Sequence, residues 1–190
     1  MKLNGCVPSS GRARTPAHAV ALPPPSSCTD SGCVRRLPNY TAEIDGVSLH
    51  FIHKPSERAG ARPLILCHGW PGGVFELLNA ADLLTNPPEG QQAFHVVIPS
   101  LPGFGFSSSY DRPWTMEDAA ATYDELMRLL GYTTFAAQGT DWGSITARCL
   151  GALYPSRCKG ALRRCSLTPP LLRGSLQLCI LTSALLKDLP

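Results

Sequence analysis

The sequence predicts an α/β protein: a mostly parallel sheet with helices on both faces. Short apolar runs alternate with longer segments whose apolar residues recur at helical spacing, an order typical of such sheets. A hairpin signal precedes the first strand–helix unit. The chain has 190 residues, of which 44% are hydrophobic and 16% charged. That composition suffices for one globular domain with a buried core.

The predicted elements follow in chain order. Segments 40–44 and 47–53 alternate apolar and polar residues around Asp45-Gly46, a dipeptide typical of tight hairpin turns. Short apolar runs predict buried strands at 64–67, 94–98 and 133–137. Helical spacing of apolar residues predicts helices at 74–84, 116–130 and 142–153, the second of them opened by a capping-box pattern at 115–118.

The two ends of the chain differ in composition from its middle. Residues 1–36 are rich in Pro, Ser and Arg and carry a net charge of +4, whereas residues 37–141 carry −7 and residues 142–190 carry +6. A segment like 1–36 buries too little apolar surface to order itself, so we expect a flexible leader there. We expect the organised core at 37–162 and an atypical tail at 163–190 that is not part of it.

Several functional classes are excluded by composition and spacing. No apolar run reaches the roughly 18 residues of a spanning helix, so we expect no membrane span. Basic residues do not interleave with aromatic ones and no nucleic-acid-binding motif occurs, so we expect no nucleic-acid partner. The eight cysteines lack the spacing of a disulfide scaffold or a zinc site, so no metal is expected. No apolar signal-peptide core is visible in residues 1–34, and we expect a cytoplasmic protein.

A glycine-rich turn directly follows the third predicted strand and opens the last helix. It reads Gly139-Thr140-Asp141-Trp142-Gly143, the pattern of a nucleophile elbow with Asp in the nucleophile position. Bulk two positions to either side would clash with the neighbouring strand and helix, so the turn needs both glycines. The helix N-terminus favours the ionised carboxylate of Asp141. Because Asp is also a common N-cap, the pattern alone leaves that alternative open.

Two further loops follow the other two predicted strands. His68-Gly69-Trp70-Pro71-Gly72-Gly73 is sharp enough to aim backbone N–H groups at the elbow. The N–H groups of Trp70 and Trp142 are therefore candidates for an oxyanion hole. We expect the His68 side chain itself to be a buried structural hydrogen-bonding group. The loop at 100–107 carries two Phe residues and is expected to form an aromatic wall of a pocket.

These three loops, in this order, resemble those of the α/β-hydrolase superfamily, and specifically of the microsomal-type epoxide hydrolases. The matching segments are 39–53, 68–72, 99–107 and 138–144. The resemblance covers about residues 37–162. It implies a partial α/β-hydrolase fold that ends after the elbow and its helix, with the cap and the C-terminal strands missing. No metal and no organic cofactor are implied.

The resemblance also implies a reaction, the two-step hydrolysis of a small-molecule epoxide to a diol. Asp141 would attack a ring carbon and form a covalent alkyl ester. A His–acid pair would then activate water on that ester, while the N–H groups of Trp70 and Trp142 hold the oxyanion.

The chain departs from this family pattern after the elbow. In the superfamily the acid and the His follow the nucleophile, but all five histidines precede Asp141, and Asp188 is the one acid after it. We therefore expect a truncated chain with impaired turnover, whose elbow strand lies near an uncovered sheet edge. Two alternatives stay open: a non-catalytic fragment that acts as an interaction species, and a hydrolase like the haloalkane dehalogenases, which share the Asp-Trp-Gly elbow.

Overall fold

A computed structural model describes residues 20–21 and 37–164. Most of the predicted leader and the tail from residue 165 onward lie outside the described residues. The elements in chain order are β1 (Val20–Ala21), β2 (Asn39–Ile44), β3 (Val47–Lys54), β4 (Arg62–Cys67), a 3-10 helix (Val74–Leu77), α1 (Leu78–Thr85), β5 (Phe94–Pro99), α2 (Met116–Leu129), β6 (Phe135–Thr140), α3 (Trp142–Leu153) and β7 (Cys158–Arg164).

All described strands form one sheet in the order β1-β2-β3-β5-β4-β6-β7. The pairs β1–β2, β2–β3 and β3–β5 are antiparallel, whereas β5, β4, β6 and β7 run parallel to one another. This arrangement confirms the predicted α/β class with a mostly parallel sheet. From β4 the chain passes first to β5 on one side and later to β6 on the other, and ligands of open α/β sheets bind at such a reversal.

The sheet is buried on both faces by two apolar clusters. One face is covered by the 3-10 helix and α1, which bring Val74, Leu78 and Leu84 against the sheet. The other face is covered by α2 and α3. These helices contribute Ala120, Tyr123, Leu126, Met127, Ala147 and Leu150. Within residues 37–164, no helix is long and apolar enough to cross a membrane.

Local sequence signals explain most element boundaries. The β2–β3 turn is made by Asp45 and Gly46, whose φ angles of 50° and 76° are those that a tight hairpin turn requires. Helix α2 begins at the predicted capping box, in which Thr115 and Asp118 exchange hydrogen bonds. The chain leaves α2 at Gly131, whose φ is 83°, as a glycine stop predicts.

Several elements differ from the sequence prediction, and three differences are more than a shift of an end by one or two residues. Strand β6 begins two residues later than predicted and continues to Thr140, and the first predicted helix is divided into the 3-10 helix and α1. Strand β7 was not predicted at all, yet it pairs with β6 from Cys158 to Arg164. The sheet therefore continues two residues past the expected core boundary at residue 162, and β7 separates β6 from the edge of the described sheet. At the other edge, Val20–Ala21 pairs with β2, inside the segment predicted to be a leader.

Candidate active site at the strand β6–helix α3 corner

Asp141 is the single residue between β6 and α3, and its backbone has a positive φ of 51° with ψ −123°, a conformation that non-glycine residues rarely adopt. Two glycines make this corner sterically possible. A Cβ on Gly139 would lie 2.0 Å from the backbone oxygen of Gly143, and a Cβ on Gly143 would lie 2.1 Å from the backbone oxygen of Cys67. Helix α3 thus starts in direct backbone contact with both β6 and the end of β4, as the elbow pattern predicts.

The carboxylate of Asp141 does not cap the helix. An N-cap side chain accepts a hydrogen bond from the second or third N–H of its helix, and Asp141 makes no such bond. Its Oδ2 instead accepts a hydrogen bond from the backbone N–H of Trp70, at 2.9 Å. Backbone hydrogen bonds from Trp142 and Trp70 hold the pKa of this carboxyl below its usual range. The observed geometry therefore argues against the N-cap alternative.

The loop after β4 reaches the carboxylate because residue 69 is a glycine. A Cβ on Gly69 would lie 2.6 Å from the Cβ of Asp141 and 2.9 Å from its Oδ2. This close approach brings the Trp70 N–H within hydrogen-bonding distance. Of the two N–H groups predicted for an oxyanion hole, that of Trp70 bonds to the carboxylate, and that of Trp142 contributes to its lowered pKa.

The side chain of His68 is a buried structural hydrogen-bonding group, as expected from the sequence. Its Nε2 accepts a hydrogen bond from the backbone N–H of Leu101 at 2.9 Å, and its Nδ1 lies 3.0 Å from the backbone oxygen of Gly69. With Nε2 acting as acceptor, Nδ1 carries the proton and donates it. Burial lowers the pKa of His68, so the ring is neutral. Its two hydrogen bonds connect the loop after β4 to the loop after β5.

Three aromatic side chains, two of them exposed, lie around the carboxylate. The rings of Trp70 and Trp142 stack with centroids 6.0 Å apart, and Phe104 meets Trp142 edge-on at 6.2 Å. The exposed fraction is 56% for Trp70 and 38% for Trp142. A group of neighbouring exposed apolar side chains often marks a binding site, whereas single exposed apolar residues are common on any protein surface.

A cleft of about 460 Å³ lies beside this aromatic group, between the loop after β4 and the loop after β5. Its lining includes His68, Phe75, Ser100, Phe104 and Phe106. The loop at 100–107 thus supplies an aromatic wall, as predicted. All three site loops follow the carboxyl ends of parallel strands, where α/β sheets bind their ligands.

Sequence reasoning missed two contributors to this site. The sequence indicates Gly69 as part of a sharp turn, and does not indicate that its missing side chain makes room for the carboxylate. Phe104 was expected to line the pocket, but its contact with Trp142 was not foreseen. The spacing of glycines in the loop after β4 was the one available signal for the first, and nothing local in the sequence indicates the second.

Comparison with known protein families agrees with this geometry. The family described as "alpha/beta hydrolase fold" matches residues 62–175. A second family, described as "Epoxide hydrolase N terminus", matches residues 31–77. Among curated proteins, epoxide hydrolase 1 of Sus scrofa is 37% identical over 137 residues, which is 67% of this chain and 30% of that protein.

Solved structures give the same result. The juvenile hormone epoxide hydrolase of Bombyx mori superposes with a TM-score of 0.65 at 31% identity, over 71% of this chain and 36% of that one. The epoxide hydrolase of Aspergillus niger superposes with a TM-score of 0.63 at 36% identity, over 73% of this chain and 36% of that one. The chain thus spans about a third of the length of these relatives. It belongs to the α/β-hydrolase fold family, and the relatives that it resembles there are epoxide hydrolases.

Proposed function

We propose that this chain opens small-molecule epoxides by nucleophilic attack of Asp141, forming an alkyl ester on the enzyme. The observation that carries the proposal is the position of that carboxylate. It stands at a strained corner, bonded to the backbone N–H of Trp70, on a side of the sheet that carries an aromatic cleft. The names of the relatives supply the substrate class.

The first step requires an ionised nucleophile and a polarised ring. Because backbone hydrogen bonds lower the pKa of Asp141, the carboxylate is charged at neutral pH. One of its oxygens donates an electron pair to a ring carbon while the ring C–O bond breaks. The electron pair of that bond passes to the ring oxygen, which takes up a proton from solvent water to become a hydroxyl group. The ester and the hydroxyl group account for all atoms of the epoxide.

The second step is hydrolysis of the ester, and it needs a general base. No histidine of this sequence follows Asp141. His68, the histidine in the neighbouring loop, is buried and has a hydrogen bond on each ring nitrogen, so it cannot also bind the attacking water. We therefore propose that the ester forms and then persists, because among residues 37–164 no histidine is available beside Asp141 to activate water.

Intact mass spectrometry tests this proposal directly. The 190-residue protein is incubated with an aryl-substituted terminal epoxide, and its mass is followed over time. We expect the mass to rise by one epoxide and then stay constant, and peptide mapping to place the adduct on Asp141. Asp141→Asn keeps the shape of the corner but removes the charge, so it should acquire no adduct at that position.

Asp45→Asn is the matched control. Asp45 is the other described Asp with a positive φ, at 50°, but it lies in the β2–β3 turn, far along the chain from the elbow. This variant should label like the parent. Equal labelling of Asp141→Asn and the parent would refute the assignment of the nucleophile. Continuous release of diol would be consistent with Asp141 as the nucleophile but would refute the proposal that the ester persists. Faster labelling by an alkyl chloride, with release of chloride, would instead favour a dehalogenase.

A further inference from the structure

His50 lies in β3, outside the site described above, and is completely buried. Both of its ring nitrogens have polar partners. Its Nδ1 lies 2.8 Å from Oγ of Ser100, and its Nε2 lies 2.9 Å from Oδ1 of Asn39. A buried polar network of this kind destabilises the fold unless every member has its hydrogen-bond partners. We therefore ask what the hydrogen bonds of His50 hold in place.

The directions of these two hydrogen bonds follow from Asn39. The amide nitrogen of Asn39 donates to the backbone oxygen of Leu37 at 2.8 Å, so the oxygen of that amide faces His50. Nε2 of His50 must therefore carry the proton and donate to it. Nδ1 is left with its lone pair and accepts the hydroxyl proton of Ser100. Burial lowers the pKa of His50 to about 4, which keeps the ring neutral in this role.

Ser100 begins the loop that follows β5, and the backbone around His50 holds both ends of this loop. The N–H of Ser100 donates to the backbone oxygen of His50 at 2.9 Å. The N–H of His50 donates to Oγ of Ser107 at 2.9 Å, and that hydroxyl in turn donates to the backbone oxygen of Ser100 at 3.1 Å. The ring of His50 also meets Phe106 edge-on, at 5.0 Å.

The loop held in this way carries Phe104, which contacts Trp142, the residue next to Asp141. We propose that His50 is a positioning residue: its hydrogen bond to Ser100 fixes the loop at 100–107 and thereby holds Phe104 against Trp142. His50 contacts two residues of the cleft lining, Ser100 and Phe106, and acts on Phe104 through Ser100. The inference concerns the geometry of the loop and does not depend on the reaction proposed above.

A pair of matched substitutions separates the two hydrogen bonds of His50. The side-chain amide of Asn lies about where Nδ1 of His lies, and the side-chain amide of Gln lies about where Nε2 lies. Each substitution therefore replaces one nitrogen of the ring. His50→Asn keeps an acceptor for Ser100 and loses the bond to Asn39. His50→Gln keeps the bond to Asn39 and loses the acceptor for Ser100. Ser100→Ala removes the same bond from the other side, with a smaller change to the core.

Tryptophan fluorescence reports the position of Phe104. All variants are made in the full chain with Trp114→Phe, so that the emission comes from Trp70 and Trp142. Phe104→Ala gives the acrylamide quenching constant of an uncovered Trp142. We expect His50→Gln and Ser100→Ala to raise the quenching constant to the value of Phe104→Ala, and His50→Asn to keep the value of the parent.

Cooperative urea unfolding is checked for each variant. Should His50→Gln not fold, Ser100→Ala decides the question alone, since it leaves the ring of His50 in place. An unchanged quenching constant in Ser100→Ala would overturn the inference. Equal increases in His50→Asn and His50→Gln would also overturn it, because His50 would then be only a buried polar group whose loss loosens the core in general.

Discussion

Gly143→Ala tests the steric basis of the elbow. The added Cβ would lie 2.1 Å from the backbone oxygen of Cys67, 2.5 Å from its carbonyl carbon and 2.6 Å from the backbone oxygen of His68. All three atoms belong to the backbone, so no side chain can rotate to make room. To restore a 3.0 Å contact, the start of α3 must move away from the end of β4 by about 0.9 Å.

Forcing extra volume into a packed interior costs about 1–3 kcal/mol, and we expect the upper end here because two backbone segments must separate. A loss of about 3 kcal/mol, at a urea m value of about 1.5 kcal/mol/M, lowers the unfolding midpoint by about 2 M. Gly160→Ala in β7 is the control, since a Cβ there would meet nothing within 4 Å. If Gly143→Ala unfolded at the same urea concentration as Gly160→Ala, the backbone contact between α3 and β4 would be refuted.

Two more predictions concern stability. Burial lowers the pKa of His50 and His53 from 6.5 to about 4. Between these pH values the unfolded chain binds more protons than the folded one. The free energy of unfolding should therefore fall by about 3 kcal/mol per histidine as the pH drops from 6.5 to 4. Urea titrations at several pH values would contradict this if the midpoint stayed constant across that range. Arg157→Ala should cost about 2 kcal/mol, because the guanidinium bonds to the half-buried carboxylate of Asp124 at 2.7 Å. Arg128→Ala breaks an exposed pair on α2 and should cost less than about 0.5 kcal/mol in the same assay.

The fold could be predicted from the sequence wherever burial leaves a pattern. Leu64–Cys67 and Phe94–Ile98 are apolar because the sheet is covered on both faces, and such runs identify buried strands. The second half of β6 carries no such pattern. Gln138 and Gly139 are held there by backbone pairing with both neighbouring strands, and Thr140 by pairing with β7. Strand β7 is missed for the same reason. Its place is fixed by its partner strand and not by its own hydropathy.

The candidate site shows a similar division. The elbow could be read from sequence because its steric needs are local: two glycines flank Asp141 at fixed spacing. The bond between Trp70 N–H and Asp141 joins residues 71 apart, and its existence depends on β4 and β6 being neighbours. The network of Asn39, His50 and Ser100 also crosses three separate segments, so no window of sequence contains it.

At the corner around residue 141, different residues determine the backbone geometry and the chemical reactivity. The tight approaches between backbones are made by the glycines two positions away, and the central residue contributes only its backbone angle and an outward side chain. The side chain of residue 141 therefore has no part in the tight backbone contacts between strand and helix, so a hydroxyl or a thiol would fit the same place. The scaffold can exchange one reactive group for another without rebuilding its frame, and each exchange would change which bonds the protein can break.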